Sequence, residues 1–147
     1  MLGRRPCSLL VFLLLAGGSA AVAQRADTLP TVVVAAFRRA YPKATILHVA
    51  REVQEGKVVY EIESRDGPTR RDLLYTPDGQ VIEIEEMIAA DSVPANVRAA
   101  VERDVTGATV LGAERVMRGE SVLYEVQARK NGRTQILTYD PDGVRKE

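Results

Sequence analysis

The chain holds one imidazole, His48, and one thiol, Cys7. A site that needs two imidazoles or a cysteine-rich zinc centre is therefore excluded. No G-x-S-x-G turn occurs, so the common serine-nucleophile arrangement has no carrier. Carboxylates are the remaining chemistry. Glu83 and Glu85 lie two apart on one strand face, expected beside Glu61 of a neighbouring strand. Paired carboxylates could do glycosidase acid–base work. With His48 they could also hold a metal ion. Against this, the chain has two Phe, five Tyr and no Trp to line a sugar cleft. Solvated charge explains the cluster better. His48 reads as a solvated surface imidazole. Asp140-Pro141-Asp142-Gly143 resembles part of a calcium loop but lacks the further oxygen ligands and the distal Glu. Its counterpart Thr76-Pro77-Asp78-Gly79 shares the turn and not the ligands. The expectation is no cofactor, no metal and no catalytic set.

Charge narrows the partner. The 147 residues carry 20 basic and 20 acidic side chains. A bulk nucleic-acid binder would show a basic excess. The basic groups Arg65, Arg70, Arg71, Arg129, Lys130 and Arg133 flank hairpins, where they solubilise loops. Residues 1–23 read as a signal peptide. Arg4 and Arg5 precede an apolar run from Leu9 to Ala16, and Ala21-Val22-Ala23 gives the small-residue cleavage signal before Gln24. The apolar run is shorter than the roughly 20 residues a membrane span needs. Arg4-Arg5 would also suit a twin-arginine route, but Pro6-Cys7-Ser8 does not continue that pattern. Cleavage after Ala23 would discard Cys7 and leave a mature chain of net charge −2 without a thiol. The expected location is periplasmic or secreted, with no stable membrane anchor after cleavage.

The elements that position these groups come in two copies. Shifted by 64 positions, Pro30–Glu83 matches Pro94–Glu147 at 19 of 54 residues without a gap. Tyr60-Glu61 falls on Tyr124-Glu125, and Pro77-Asp78-Gly79 on Pro141-Asp142-Gly143. This predicts one domain over 24–147, built from repeat 1 (29–87) and repeat 2 (93–147). Each repeat opens with a helix. Leu29, Val33, Ala36, Phe37, Ala40 and Tyr41 recur at helical spacing, with Thr28 as N-cap, Pro30 in the first turn and Pro42 as the stop. In the second copy Ser92 caps, Pro94 opens, Val93, Val97, Ala100, Val101 and Val105 form the stripe, and Gly107 ends it.

Four strands follow each helix. They are Thr45–Gln54, Lys57–Arg65, Arg70–Thr76 and Gln80–Met87, then Thr109–Arg118, Ser121–Arg129, Arg133–Asp140 and a short strand from Val144. Ile88 to Asp91 links the copies. The fold class is α+β: two tandem helix-plus-four-strand repeats in a largely antiparallel sheet, with the helices packed on one face. Alternation assigns Val58, Tyr60, Ile62, Leu73 and Tyr75, with Val122, Tyr124, Val126, Leu137 and Tyr139, to the helix side. The opposite face collects His48, Glu52, Val59, Glu61, Glu63, Asp72, Leu74, Val81, Glu83 and Glu85. From the second copy it gains Glu114, Leu123, Glu125 and Ile136. One face of an antiparallel sheet is commonly left in water. Aliphatic groups mixed with charge there also suit docking. The candidate partner-binding face is His48, Val59, Glu61, Leu74, Glu83, Leu123, Glu125 and Ile136.

The duplicated pattern resembles a known family. Leu29-Pro30, Phe37, Tyr41-Pro42, Tyr60-Glu61-Ile62 and the Tyr75 to Gly79 turn carry the first copy. Val93-Pro94, Tyr124-Glu125-Val126 and the Tyr139 to Gly143 turn carry the second. Together they look like the PepSY-like, beta-lactamase-inhibitor-protein-like periplasmic proteins. The second copy departs in Val105-Thr106 for Tyr-Pro and Val93 for Leu. The resemblance implies an exported α+β domain with a binding or inhibitor-like role toward an envelope or extracellular protein or peptide. The named inhibitor has disulfides, which this mature chain would lack. The alternative is a periplasmic metal-binding or hydrolytic protein using His48 and the Glu61/Glu83/Glu85 cluster.

Overall fold

A computed structural model describes residues 29–146. The expected signal peptide and cleavage point, and the expected N-cap Thr28, lie outside the described residues. The elements run α1 (Thr31–Ala40), β1 (Thr45–Gln54), β2 (Lys57–Asp66), β3 (Thr69–Tyr75), β4 (Val81–Ile88), α2 (Ala95–Asp104), β5 (Thr109–Arg118), β6 (Ser121–Lys130), β7 (Arg133–Tyr139) and β8 (Arg145–Lys146). A short 3₁₀ turn, Ala90–Ser92, precedes α2. The eight strands form one sheet in sequence order, every neighbour antiparallel.

Both helices begin one residue after a proline. Pro30 and Pro94 sit at the N-cap, outside the first turn, and neither helix has a side-chain cap. This corrects the expected capping by Ser92, which lies in the 3₁₀ turn and bonds Asp91 instead. A proline at the N-cap cannot donate there, but its carbonyl still accepts the first helical bonds: Val33 N–H at 3.0 Å from Pro30 O, and Arg98 N–H at 3.0 Å from Pro94 O. Tyr41, restricted by Pro42, ends α1. Val105 falls just outside α2 and remains buried.

The helices share one face of the sheet, over two separate cores. Leu29, Val33 and Phe37 pack on Val49, Ile62, Leu73 and Tyr75. Val97, Ala100 and Val101 pack on Ala113, Val126, Leu137 and Tyr139. Between the cores runs a charged row on the same face. Glu86 takes Arg71 Nε at 2.6 Å on one carboxylate oxygen and Arg115 Nη2 at 2.7 Å on the other. The Arg71 guanidinium also lies 5.1 Å from the Tyr41 ring centroid. Two guanidiniums thus share one carboxylate between the cores, in charge-assisted hydrogen bonds.

The second half follows the first at an offset of 64 in detail. Tyr60 faces Tyr75, and Tyr124 faces Tyr139. The β1–β2 register slips at Leu47 and the β5–β6 register at Leu111, leaving both leucines exposed. One difference is chemical. Tyr139 Oη donates to Asp104 Oδ2 at 3.0 Å. At the offset position Ala40 replaces Asp104, and buried Tyr75 Oη has no hydrogen-bond partner among the described residues. Burial pushes both phenols up to about 12. Tyr139→Phe is expected to cost about 1.5–3 kcal/mol, the value of a bond to a charged acceptor. Tyr75→Phe should be neutral or slightly stabilising, and Ala40→Asp should make the two tyrosines respond alike. Urea unfolding of the single and double variants checks this.

Candidate functional site

The face opposite the helices is built by register. Three rows cross it. Ala50, Glu61, Leu74 and Glu83 form the first, which Arg118 of β5 joins through its ion pair with Glu83. His48, Glu63, Asp72, Glu85, Val116 and Leu123 form the second. Met87, Glu114, Glu125 and Thr138 form the third. Val59 joins from the side, opposite Glu52, and Ile136 opposite Gln127. All eight expected face residues therefore lie on this face. Their settings differ. Glu61, Leu74, Glu83, Leu123 and Glu125 are half-buried, whereas His48 and Ile136 are exposed at the margins.

The interior of the face has an apolar floor. Val59 is 4% exposed and Val116 1%. Val116 is absent from the expected face residues. Its counterpart at the offset of 64 is Glu52, so the repeat pattern carries no apolar signal there. Val81, expected on this face, stands opposite Tyr75 instead. A bulge between Leu74 and Tyr75 absorbs Ile82 and turns Val81 to the helix side.

Carboxylates crowd above that floor, and burial is the main influence on each. Glu61 is pushed up to about 7 by desolvation, then by the charges of Glu52 and Asp72 and a hydrogen bond with Glu52. Glu85 is pushed up to about 9 by desolvation, by a hydrogen bond with Glu83, and by the charges of Glu83, Glu114 and Glu125. Asp72 is raised by desolvation, opposed by Arg70 and His48. Glu114 is raised by desolvation and by Asp72 and Glu125, opposed by Arg70. Two arginines reach in from the strands: Arg70 pairs with Glu63, and Arg118 with Glu83.

The expected Glu61/Glu83/Glu85 cluster is only partly assembled. Glu83 and Glu85 touch. Glu61 does not sit beside them, because β3 runs between β2 and β4 and Leu74 separates Glu61 from Glu83. Two strand spacings put Glu61 roughly 10 Å away. His48 lies on edge strand β1, three strands from Glu85. Among the described residues no group of three His, Cys, Asp or Glu side chains could hold a metal ion. In the Asp140 turn the carboxylate is used internally. It accepts Asp142 N–H at 3.1 Å and Val144 N–H at 2.9 Å, and Lys146 Nζ lies 2.6 Å from it. It acts as a turn-forming side chain, not as a free ligand.

No family model matches the chain, and no curated protein matches it. Solved structures do. A protein from Bacteroides eggerthii described as periplasmic is 20% identical, with a TM-score of 0.70 over 81% of this chain and 86% of its own. A DUF2874 family protein from Bacteroides ovatus is 19% identical, with a TM-score of 0.67 over 82% and 86%. A BLIP-like protein from Bacteroides fragilis is 15% identical, with a TM-score of 0.64 over 81% and 84%. At these identities the likeness is one of fold. The chain has the BLIP-like α+β fold, and among the described residues no helix is long and apolar enough to cross a membrane.

Proposed function

We propose that this chain is an exported, non-enzymatic binding module of the periplasm, whose open sheet face receives a protein or peptide. The carrying observation is that face: half-buried carboxylates above Val59 and Val116, on the side of the sheet away from both helices. Such a surface favours a partner that sets cationic groups beside apolar ones. Complementary charge gives specificity and rapid encounter, and the apolar floor supplies area to bury. The reading of residues 1–23 as a signal peptide and the periplasmic structures of the same fold support the location. The offset of 64 in sequence and register supports an origin by duplication of a PepSY-like unit, repeat 1 (29–87) and repeat 2 (93–147). Fold alone does not name the partner.

The test compares face variants in quantitative capture from an envelope extract. Wild-type protein is expected to retain a saturable partner, with binding weakened by added salt. Glu61→Lys with Leu123→Asp should abolish it. Arg39→Glu, on the exposed side of α1, should leave it unchanged. Capture that survives the face substitutions and falls with Arg39→Glu would place the binding surface on the helices and sink the proposal.

A further inference from the structure

β1 is an edge of the sheet: among the described residues it has β2 on one side and no strand on the other. It is ten residues long, and two of its aliphatic side chains are exposed, Val53 at 61% and Leu47 at 39%. Edge strands commonly guard themselves against stray pairing with bulges and charges. β1 has both, a register slip at Leu47 and the charged pair Arg51-Glu52. The order of these features along the strand complements itself. We infer that β1 is the contact of a two-fold dimer, paired antiparallel with β1 of a second copy about Ala50.

Parity and charge select that register. Residues directly opposite in an antiparallel pair point to the same face, so a two-fold pairing of β1 with itself must centre on a residue. A centre at Arg51 would set Arg51 against Arg51, and like charges directly opposite repel. A centre at Val49 would set Arg51 against Leu47 and carry Glu52 and Val53 past the bulge. A centre at Ala50 places His48 of each copy opposite Glu52 of the other, on the open side of the sheet. Glu52 is already held by Gln54 Nε2 at 3.0 Å. Val53 meets the bulged Leu47, so both exposed aliphatics are covered. Arg51 lies beside Val49, where its stem covers apolar surface and its head reaches water. Ala50, the smallest side chain of β1, lies on the axis.

The rest of the fold permits this approach. α1 packs over β1 to β3 through Val49, Ile62 and Leu73. The two copies of α1 would stand about three strand spacings apart, roughly 14 Å. That exceeds the roughly 8–10 Å between helices in contact, so the helices leave the edges free to pair. The contact uses the same patch on both copies and therefore closes at two. It requires nothing to bind the open face, so it stands or falls apart from that reading.

The probe is the purified full chain carrying Cys7→Ser, so that every thiol is an introduced one. Sedimentation equilibrium is expected to show a reversible monomer–dimer equilibrium. Ala50→Cys should form a disulfide-linked dimer on mild oxidation, because the pairing brings the two side chains within about 5 Å. Val49→Cys and Arg51→Cys should not. Glu52→Lys and His48→Glu should each weaken the dimer at least about tenfold, with unchanged circular dichroism, and the two together should restore it. A protein that stays monomeric up to about 1 mM would overturn the inference. So would a disulfide at Val49→Cys or Arg51→Cys in place of Ala50→Cys, or a dimer indifferent to both charge changes.

Discussion

Gly143→Ala should lower stability by about 3–5 kcal/mol, more than the same change at any other described glycine. Two costs add. Gly143 has φ +79°, a left-handed conformation that costs an L-residue about 1–2 kcal/mol. A Cβ there would also lie 2.5 Å from the Asn96 carbonyl oxygen and 2.9 Å from its carbon, both backbone atoms of α2 that cannot rotate away. Overpacking of this kind costs about 1–3 kcal/mol. Gly79 occupies the matching turn at φ +84°, but its nearest neighbours are a Val32 methyl and carbonyl oxygen at 3.1 Å. Gly79→Ala should therefore cost about 2–3 kcal/mol. Gly67 has φ +57° and nothing within 4 Å of an added Cβ, so Gly67→Ala isolates the conformational part at about 1 kcal/mol. Urea unfolding with an unchanged slope would give this order; equal losses at Gly67 and Gly143 would refute the clash.

The second large effect is on pH. The folded state holds Glu61 at about 7 and Glu85 at about 9, above their ordinary value of 4.5, and raises Asp72 and Glu114 as well. A folded chain that binds protons more tightly than the unfolded chain gains stability from them below the unfolded pKa. That gain is lost as pH rises through the folded values. Stability should therefore fall from about pH 5 to about pH 9. A tenfold change in proton affinity is worth about 1.4 kcal/mol, and solvent screening on a half-open face reduces the total to roughly 2–4 kcal/mol. Glu85→Gln keeps a donor for Glu83 and removes the charge. It should raise the melting temperature at pH 8 by several degrees and flatten the pH profile. A melting temperature that rises steadily from pH 5 to pH 9 would reverse the sign of this account.

Most of the architecture is legible in residue patterns. Alternation in Val58, Tyr60 and Ile62, the Pro-Asp-Gly turns and the prolines before each helix mark eight strands and two helices within about two residues. The faces follow from parity, which holds until a bulge intervenes. Parity misplaces Val81 for that reason, since a bulge depends on how two strands fit and leaves no period in either. The carboxylate cluster is misjudged for a related reason. Spacing along one strand shows that Glu83 and Glu85 share a face. Only strand order shows that β3 separates them from Glu61. Val116 is hidden because its counterpart Glu52 is polar. The Pro-Asp-Gly repeat is legible as a turn, but the approach of its glycine to the helix backbone is not.

The sheet order β1 to β8 has a kinetic consequence. Every strand pairs with its neighbour in sequence, and six of the seven pairings close across short connections. Only the β4–β5 pairing must bring together strands separated by a helix. Closing a short loop costs little entropy, so most of the sheet can zip from local hairpins without a long-range search. A predominantly β chain of this size would ordinarily fold slowly. This one should fold faster than sheets with crossed connections, with β4–β5 docking as the step that couples two independently started halves.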